Sequence, residues 1–192
     1  MEDVMHAGLE AEHATTTLPY TAAGAQPKEQ GTLILTLILN KETQTLLGVQ
    51  AAGIAVPEEV VDGLFNTALA ALAGGTPLST LMIREYTGLP GAILARCASM
   101  LDNKLAGVTL GITPDELLAS SQAGAEFFIL DLRSHSDWKA RRLPDSYNIP
   151  LLQLKKRLQD EVPRFTPLVL VCANANDAHT IGRKLAGLGA TE

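Results

Sequence analysis

One stretch decides the fold of the second half of this chain, namely Phe127-Phe128-Ile129-Leu130-Asp131-Leu132-Arg133. Its continuous apolar run is typical of a short strand that is covered on both faces in a parallel sheet. A second run of the same kind, Leu168-Val169-Leu170-Val171, leads directly into Cys172. Both predicted strands therefore end in residues with a charged or thiol side chain.

Helical segments alternate with these strands. Thr113-Pro114-Asp115-Glu116 has the spacing of a capping box and predicts a helix start, with Gly124 as the stop. A short strand is expected around residues 147–150, an amphipathic helix over 151–162 and a last helix over 179–188. This alternation predicts a parallel α/β sheet with right-handed crossovers.

In such a sheet, ligand sites gather at the carboxyl ends of the strands, where Asp131, Arg133 and Cys172 are predicted to lie. A cysteine between a strand end and a helix start is a favourable thiolate position, since loop N–H groups and the helix dipole favour negative charge. The alternative is a small residue that only closes the strand.

The first half predicts a different, α+β arrangement. Residues 32–39 and 46–53 are expected to form an antiparallel hairpin, followed by helices over 57–72 and 93–105, with a turn at 88–91. Residues 1–30 show little periodicity and are interpreted as a loosely ordered lead-in. Cys97 lies on an apolar helix face, which favours a buried role, and Gly48 and Gly53 indicate a bulge or close packing rather than a phosphate loop.

Charge and composition limit the function classes. The 192 residues carry a net charge of −6, with 11 acidic and 5 basic residues in 1–107 but 10 of each in 108–192. The lack of a basic surplus disfavours nucleic acid as a partner, and no run is long enough to predict a membrane span. No secretion signal is recognisable, and the two cysteines fit neither a disulfide scaffold nor a zinc site, so we expect no metal and a cytoplasmic location.

Four motifs in order resemble a rhodanese domain over residues 111–192. They are Ile112-Thr113-Pro114-Asp115-Glu116-Leu117, Asp131-Leu132-Arg133-Ser134-x-x-Asp137-Trp138, Leu143-Pro144-Asp145-Ser146-x-Asn148-Ile149-Pro150-Leu151 and Leu170-Val171-Cys172. The resemblance implies sulfur transfer: Cys172 would take sulfur from a sulfane sulfur donor, carry it as a persulfide and pass it to a thiol acceptor. It also implies a structural salt bridge for Asp131 and Arg133.

The segment after the cysteine departs from the family pattern. The loop expected to hold the persulfide consists of Ala173, Asn174, Ala175, Asn176, Asp177 and Ala178. It lacks the usual glycine and arginine, and Asp177 would raise the thiol pKa and repel an anionic donor. Arg141 and Arg142, in place of the family's Gly-His, would restore positive potential. Ala178 at the arginine position excludes a Cys-x5-Arg phosphatase.

Residues 30–107 resemble the C-terminal dimerisation domain of FAD-dependent pyridine nucleotide–disulfide oxidoreductases. The resemblance rests on the stretch Leu39-Asn40-Lys41-Glu42-Thr43-Gln44-Thr45-Leu46-Leu47-Gly48-Val49-Gln50-Ala51-Ala52-Gly53. It continues in the following predicted helix, which contains Val61-Asp62-Gly63-Leu64. The resemblance implies a homodimer. It implies FAD and NAD(P)H only in domains upstream, because this chain has no Gly-x-Gly-x-x-Gly unit and therefore no cofactor of its own. Tyr86 is followed by Thr87-Gly88 rather than by alanine and prolines, which leaves its role open.

We therefore expect a lead-in at 1–29, a dimerisation domain at 30–107 and a rhodanese-like domain at 108–192. That order is similar to the C-terminal part of coenzyme A disulfide reductases that carry a rhodanese domain at their C-terminus. We also expect a flavin-domain partner and the absence of the last strand of the rhodanese fold. The leading hypothesis is sulfur transfer through Cys172 beside a disulfide or persulfide reductase. The alternative is a non-catalytic dimerisation and docking module, and a third is a fragment of a longer product.

Overall fold

The structure is a computed structural model and describes residues 10–21, 30–83 and 88–187. The chain divides into two compact units, Met1–Gly107 and Val108–Glu192. The division falls where the charge balance of the sequence changes. Each unit is described by itself.

The first unit contains an antiparallel sheet of three strands in the order β1-β2-β3. Its strands are β1 (Ala11–Tyr20), β2 (Gly31–Asn40) and β3 (Leu46–Ile54). The expected hairpin is confirmed as β2 and β3, with a register irregularity at Ile38/Leu39.

The prediction of a loosely ordered lead-in is wrong for residues 11–20, which form β1. Ala14 pairs with Leu37 of β2, and Ala14 and Thr16 are buried. The Thr15 and Thr36 hydroxyls meet across the two strands at 2.8 Å. Only two side chains of the segment are fully buried, so its strand character depends on the ladder that β2 offers rather than on its own apolar pattern.

The described residues of the first unit also form the helices α1 (Glu58–Ala73), α2 (Leu78–Leu81) and α3 (Gly88–Leu105). Helix α3 begins at Gly88, so the turn predicted at residues 88–91 is wrong. Pro90 is compatible with this start because a proline in the first helical turn removes an N–H that has no partner within the helix. Tyr86 lies outside the described residues.

The core of the first unit is built mainly from leucine. Alternate residues of β2 are fully buried beside side chains of the helices, and the central members are Leu33, Leu35, Leu37, Leu39, Leu64, Leu81, Leu94 and Leu101. Cys97 is part of this cluster, and its thiol donates to the carbonyl oxygen of Ala14 at 3.2 Å. Burial raises the pKa of Cys97 to about 12, which confirms its role as a neutral core residue.

Gly53 permits a close approach of helix α1 to strand β3. A Cβ at this position would lie 2.6 Å from Cγ2 of Val61 and 3.0 Å from Cβ of Val56. Both distances are shorter than van der Waals contact, so the position has no room for a side chain. The close-packing interpretation of Gly53 is confirmed.

The second unit contains a parallel sheet of three strands in the order β5-β4-β6. Its elements are α4 (Pro114–Gln122), β4 (Phe128–Asp131), α5 (His135–Ala140), β5 (Tyr147–Asn148), α6 (Leu151–Glu161), β6 (Leu168–Val171) and α7 (Ala175–Ala186). The predicted capping box of Thr113 and Glu116 is present. The expected combination of an antiparallel α+β part and a parallel α/β part is therefore confirmed.

The core of the second unit is small. Its fully or nearly buried members are Leu130, Leu132, Ile149, Leu154 and Val162. Helix α7 begins four residues before the predicted His179, which shortens the connection from β6. No helix among the described residues is long and apolar enough to span a bilayer.

The packing at Gly53 leads to a stability prediction for the first unit. Gly53→Ala should lower its free energy of unfolding by about 1–3 kcal/mol, because the new methyl group overlaps Val61. Hydrogen exchange followed by mass spectrometry on β3 peptides would measure the loss.

Gly63→Ala is the matched control, since a Cβ there meets nothing within 4 Å and the position lies inside α1. This variant should gain up to about 1 kcal/mol from helix propensity. Equal protection of β3 in both variants would contradict the close-packing argument.

Candidate active site at the strand ends

The parallel pairing of β4 with β6 brings the candidate residues to one edge of the sheet. Asp131 is in register with Val171, and the backbone N–H of Leu132 donates to the carbonyl of Val171 at 2.8 Å. Cys172 follows Val171 directly, so the carboxyl ends of the two strands place Asp131 and Cys172 side by side. The predicted clustering at this edge is correct.

The Asp131 carboxylate is buried and held by Arg133. The guanidinium Nη2 lies 2.6 Å from Oδ2, and Nε lies 3.0 Å from Oδ1. The backbone N–H of Arg133 also donates to Oδ1, and Nη2 donates to the carbonyl of Arg141 at 2.7 Å. The hydrogen bond to Asp131 raises the pKa of Arg133. This pair ties the end of β4 to the end of α5.

Asn148 joins the third strand to the same edge. Its side-chain amide donates to the carbonyl oxygens of Asp131 and Arg133 at 2.9 and 3.0 Å. The amide thereby fixes the backbone on which the ion pair is built. The sequence analysis named Asn148 only as a member of the third rhodanese motif and assigned it no role, although its place within a short predicted strand was a usable signal.

The segment after Cys172 is a helix start rather than a long loop. Only Ala173 and Asn174 separate the cysteine from α7, so the loop predicted over residues 173–178 is wrong from 175 onward. The Asn174 side chain accepts from the backbone N–H of Asp177 at 2.9 Å and donates to its carboxylate at 2.9 Å. An N-cap asparagine with an acid three residues later favours early helix initiation.

The surroundings of Cys172 disfavour a free thiolate. The side chain is half-buried, and burial, followed by the carboxylates of Asp177 and Asp131, raises the pKa of Cys172 to about 12. The expected effect of Asp177 on the thiol pKa is therefore confirmed, whereas repulsion of an anionic donor stays a prediction. Desolvation and the two carboxylates therefore oppose the favourable thiolate position that the sequence indicates between a strand end and a helix start.

Arg142 does not compensate these carboxylates. Its guanidinium lies over the ring of Trp138, 4.7 Å from the ring centroid. The charges that shift the pKa of Cys172 are both acidic among the described residues. The expectation that Arg141 and Arg142 restore positive potential at the thiol is therefore wrong.

An open cavity of about 840 Å³ reaches the thiol from the side of α4. Most of its lining is apolar, and the residues are Ile112, Thr113, Pro114, Leu117, Leu118, Ser121, Ala125, Glu126, Phe127, Phe128, Ile129, Leu143, Pro144, Asp145, Thr166, Val169, Leu170, Val171, Cys172, Ala173, Asn174 and Ala178. In the sequence, this apolar lining is indicated by two adjacent leucines, Leu117 and Leu118, on a short helix that is otherwise polar. The described residues contain no group of three or more His, Cys, Asp or Glu side chains that could hold a metal ion.

The Asp131–Arg133 pair leads to a prediction for the second unit. Arg133→Ala should lower the free energy of unfolding by about 3 kcal/mol, because it leaves the buried carboxylate without its partner. Fluorescence of Trp138, the single tryptophan, during urea unfolding would report on this unit.

Arg164→Ala serves as the control, since Arg164 is exposed and its removal should change stability by no more than about 0.5 kcal/mol. Similar midpoints for both variants would show that the pair does not hold the strand ends together.

Comparisons with known proteins agree with this geometry. Residues 113–191 match the model of the Rhodanese-like domain family, whereas no curated protein matches the chain. The chain is similar to reduced Bacillus anthracis CoADR-RHD, with a TM-score of 0.78 and 20% identity, over 99% of this chain and 33% of that one. It is also similar to a NAD-dependent persulfide reductase from A. fulgidus, with a TM-score of 0.74 and 26% identity, over 98% of this chain and 33% of that one.

The chain thus spans about a third of the length of these two solved structures. Because the aligned region includes both units, the resemblance to a reductase tail followed by a rhodanese domain is confirmed at the level of the fold. The family match lies entirely within the second unit and contains Cys172. The match to the Rhodanese-like domain model therefore covers the ion pair of Asp131 and Arg133 as well as Cys172.

Proposed function

We propose that the second unit transfers sulfur through a persulfide on Cys172. The observation that carries the proposal is the position of this thiol, which follows β6 directly and lines an open cavity of about 840 Å³ in the rhodanese-like domain. A donor can enter this cavity and reach a half-buried nucleophile. Cys97, by contrast, is enclosed in the leucine core.

The transfer consists of two displacements. In the first, the Cys172 thiolate attacks the outer sulfur of the donor, an S–S bond forms on Sγ, and the donor's own bond to that sulfur breaks. Its electron pair stays on the departing group, which takes up the proton that the thiol released. In the second, an acceptor thiolate attacks the outer sulfur of the persulfide, and Cys172 leaves with the electron pair.

The raised pKa of Cys172 affects the first step. At neutral pH only a very small fraction of the thiol is ionised, although a thiolate of higher pKa is the stronger nucleophile. N–H groups in the first turn of α7 would stabilise the persulfide anion, since such groups have no partner within the helix. The N–H of Asp177 is already bound by Asn174.

The similar solved structures suggest a context for this chemistry. One is described as a NAD-dependent persulfide reductase, and this chain aligns with a third of it. We propose that the first unit forms a homodimer and that the sulfur on Cys172 is delivered to a reductase of this kind in a reducing compartment. FAD and NAD(P)H would be bound by flavin domains outside this sequence.

A docking module is the second candidate function. The observation that favours it is again the Cys172 pKa of about 12, caused by burial and two carboxylates, because a domain that only binds a partner has no need of a thiolate. The two candidates differ in whether Cys172 ever carries sulfur.

Mass spectrometry of the full chain after exposure to a sulfane sulfur donor separates them. Sulfur transfer predicts the added mass of sulfur on Cys172, its loss on treatment with an acceptor thiol, and no addition in Cys172→Ser. Cys97→Ala is the matched control and should take up sulfur like the parent chain, because Cys97 is buried. If no sulfur is found on Cys172, the sulfur-transfer function is contradicted and the docking function is supported.

The Cys172 pKa leads to a pH prediction. Its alkylation by iodoacetamide should accelerate about tenfold per pH unit from pH 7 to pH 10 without levelling, because the ionised fraction is still rising there. Free cysteine, the control, should level off above its pKa of about 8.5. A plateau for Cys172 below pH 9 would contradict the raised pKa.

Both thiols have a higher pKa in the folded chain than free cysteine has. The stability they contribute is therefore fully present below about pH 9 and is lost as the pH rises toward 12. Trp138 fluorescence is therefore measured at each pH to show that the protein is folded, so that unfolding does not contribute to the alkylation rates.

A further inference from the structure

We infer that the cavity beside Cys172 binds the hydrocarbon body of a thiol, R–SH, in which R is an alkyl or aryl group, and that this thiol is the sulfur acceptor. The acceptor role rests on the proposed function and specifies its substrate class. Hydrocarbon binding rests on the cavity alone. The supporting features are one face of the parallel sheet, the apolar side chains of α4 and the position of the thiol.

One face of the parallel sheet opens into the cavity. Ile129 of β4 is in register with Val169 of β6, and both line the cavity together with Val171. Neighbouring residues of a strand point to opposite faces, and Leu130 and Leu168 contribute to the core of the second unit on the other face. Both faces of a parallel sheet are normally covered. Here the side chains that face the cavity are only half-buried, so they offer apolar surface to a ligand.

Helix α4 supplies a second apolar part of the lining. Its start is defined by the capping box of Thr113 and Glu116, yet none of its residues is fully buried. Leu117 and Leu118 line the cavity, and Leu118 is 58% exposed. A hydrocarbon group bound between this helix and the sheet would remove apolar surface of both from water, which favours binding.

The position of Cys172 indicates a small molecule as the occupant rather than a protein surface. The thiol lines the same cavity, whose volume of about 840 Å³ is typical of a ligand pocket. A second copy of the chain packed into the cavity would cover the sulfur that must react. A thiol with a hydrocarbon body fills the apolar space and brings its own sulfur to Cys172.

The ionisable lining residues limit the group R. Apart from Cys172 they are Glu126 and Asp145, both carboxylates. Among the described residues, no lysine, arginine or histidine lines the cavity. An acidic group on R would therefore enter without a counter-charge, which favours a plain hydrocarbon.

The chemical step with such an acceptor is balanced without an oxidant or a reductant. The thiolate R–S⁻ attacks the outer sulfur of the Cys172 persulfide. A bond between R–S and that sulfur forms as the bond from Sγ to it breaks. Sγ keeps the electron pair and takes up the proton that R–SH released. The products, written as neutral species, are the Cys172 thiol and R–S–SH.

Two neutral maleimides test hydrocarbon binding without requiring sulfur transfer. N-ethylmaleimide and N-hexylmaleimide have the same reactive ring and differ only in the length of the alkyl chain. Their rates at Cys172 of the full chain, measured by peptide mass spectrometry, are each divided by the rate with free cysteine. We expect the hexyl reagent to be favoured at least tenfold, because full burial of one methylene group favours binding about fourfold. A normalised ratio near one would overturn the inference while leaving sulfur transfer intact.

Leu117→Gln tests the part of the lining that α4 supplies. Glutamine keeps the helix propensity but replaces apolar surface, so the ratio of hexyl to ethyl reagent should fall about threefold. Leu152→Gln is the matched control, since Leu152 is 97% exposed on α6 and does not line the cavity. An unchanged ratio in both variants would overturn the assignment of α4 to the site. Should Leu117→Gln fail to fold by Trp138 fluorescence, Leu118→Gln replaces it.

The concentration of the chain separates a ligand site from an interface between copies. A ligand site predicts the same ratio at low and high concentration. If the ratio falls toward one as the concentration rises, a second copy covers the cavity and the ligand assignment is overturned.

The acceptor role is tested on chain whose Cys172 has been loaded by a sulfane sulfur donor. Hexanethiol should remove the sulfur at least tenfold faster than ethanethiol at equal concentration. Equal rates overturn the acceptor class but support the transfer function. If Cys172 never takes up sulfur, the transfer function and the acceptor role are both overturned, whereas the maleimide ratio still reports hydrocarbon binding.

Discussion

The parallel pairing of β4 with β6 is the interaction on which the second unit depends. Four residue pairs, from Phe128–Leu168 to Asp131–Val171, align the two strands so that both end at the same edge. Because parallel strands run in one direction, whatever follows them meets at that edge. The ion pair, the cysteine and the start of α7 are all consequences of this register.

At this edge of the sheet, the carboxylates of Asp131 and Asp177 act on the Cys172 thiol. Arg133 cancels much of the charge of the buried Asp131, whereas Asp177 retains its charge beside the thiol. Desolvation is the largest cause of the raised pKa of Cys172, and the carboxylates of Asp177 and Asp131 add to it. Burial and the two carboxylates both favour the neutral thiol over the thiolate.

The first unit shows a different source of order. Strand β2 buries four leucines, and this apolar strand has a ladder on both sides. The polar segment 11–20 forms a strand because one of those ladders is available to it. A strand whose partner comes from later in the chain cannot be recognised from its own composition.

Much of the fold could be predicted because its signals are local. The hairpin β2–β3, the capping box of Thr113 and the apolar runs of β4 and β6 are recognisable within windows of a few residues. Cys172 was placed at a strand end for the same reason. The early start of α7 was not predicted, although Asn174 and Asp177 have the spacing of an N-cap residue and a residue of the first helical turn.

By itself the sequence predicted the two-part architecture, the β2–β3 hairpin, the two apolar strands of the parallel sheet and the position of Cys172 at a strand end, because hydrophobic periodicity and capping residues act over short distances. The tertiary structure decided the pairing of β1, the cavity beside Cys172, the stacking of Arg142 on Trp138 and the direction of the thiol pKa. These properties depend on burial and on charges brought together from distant parts of the chain. Only the parallel pairing of β4 with β6 brings Asp131 beside Cys172, which lies 41 positions later in the sequence.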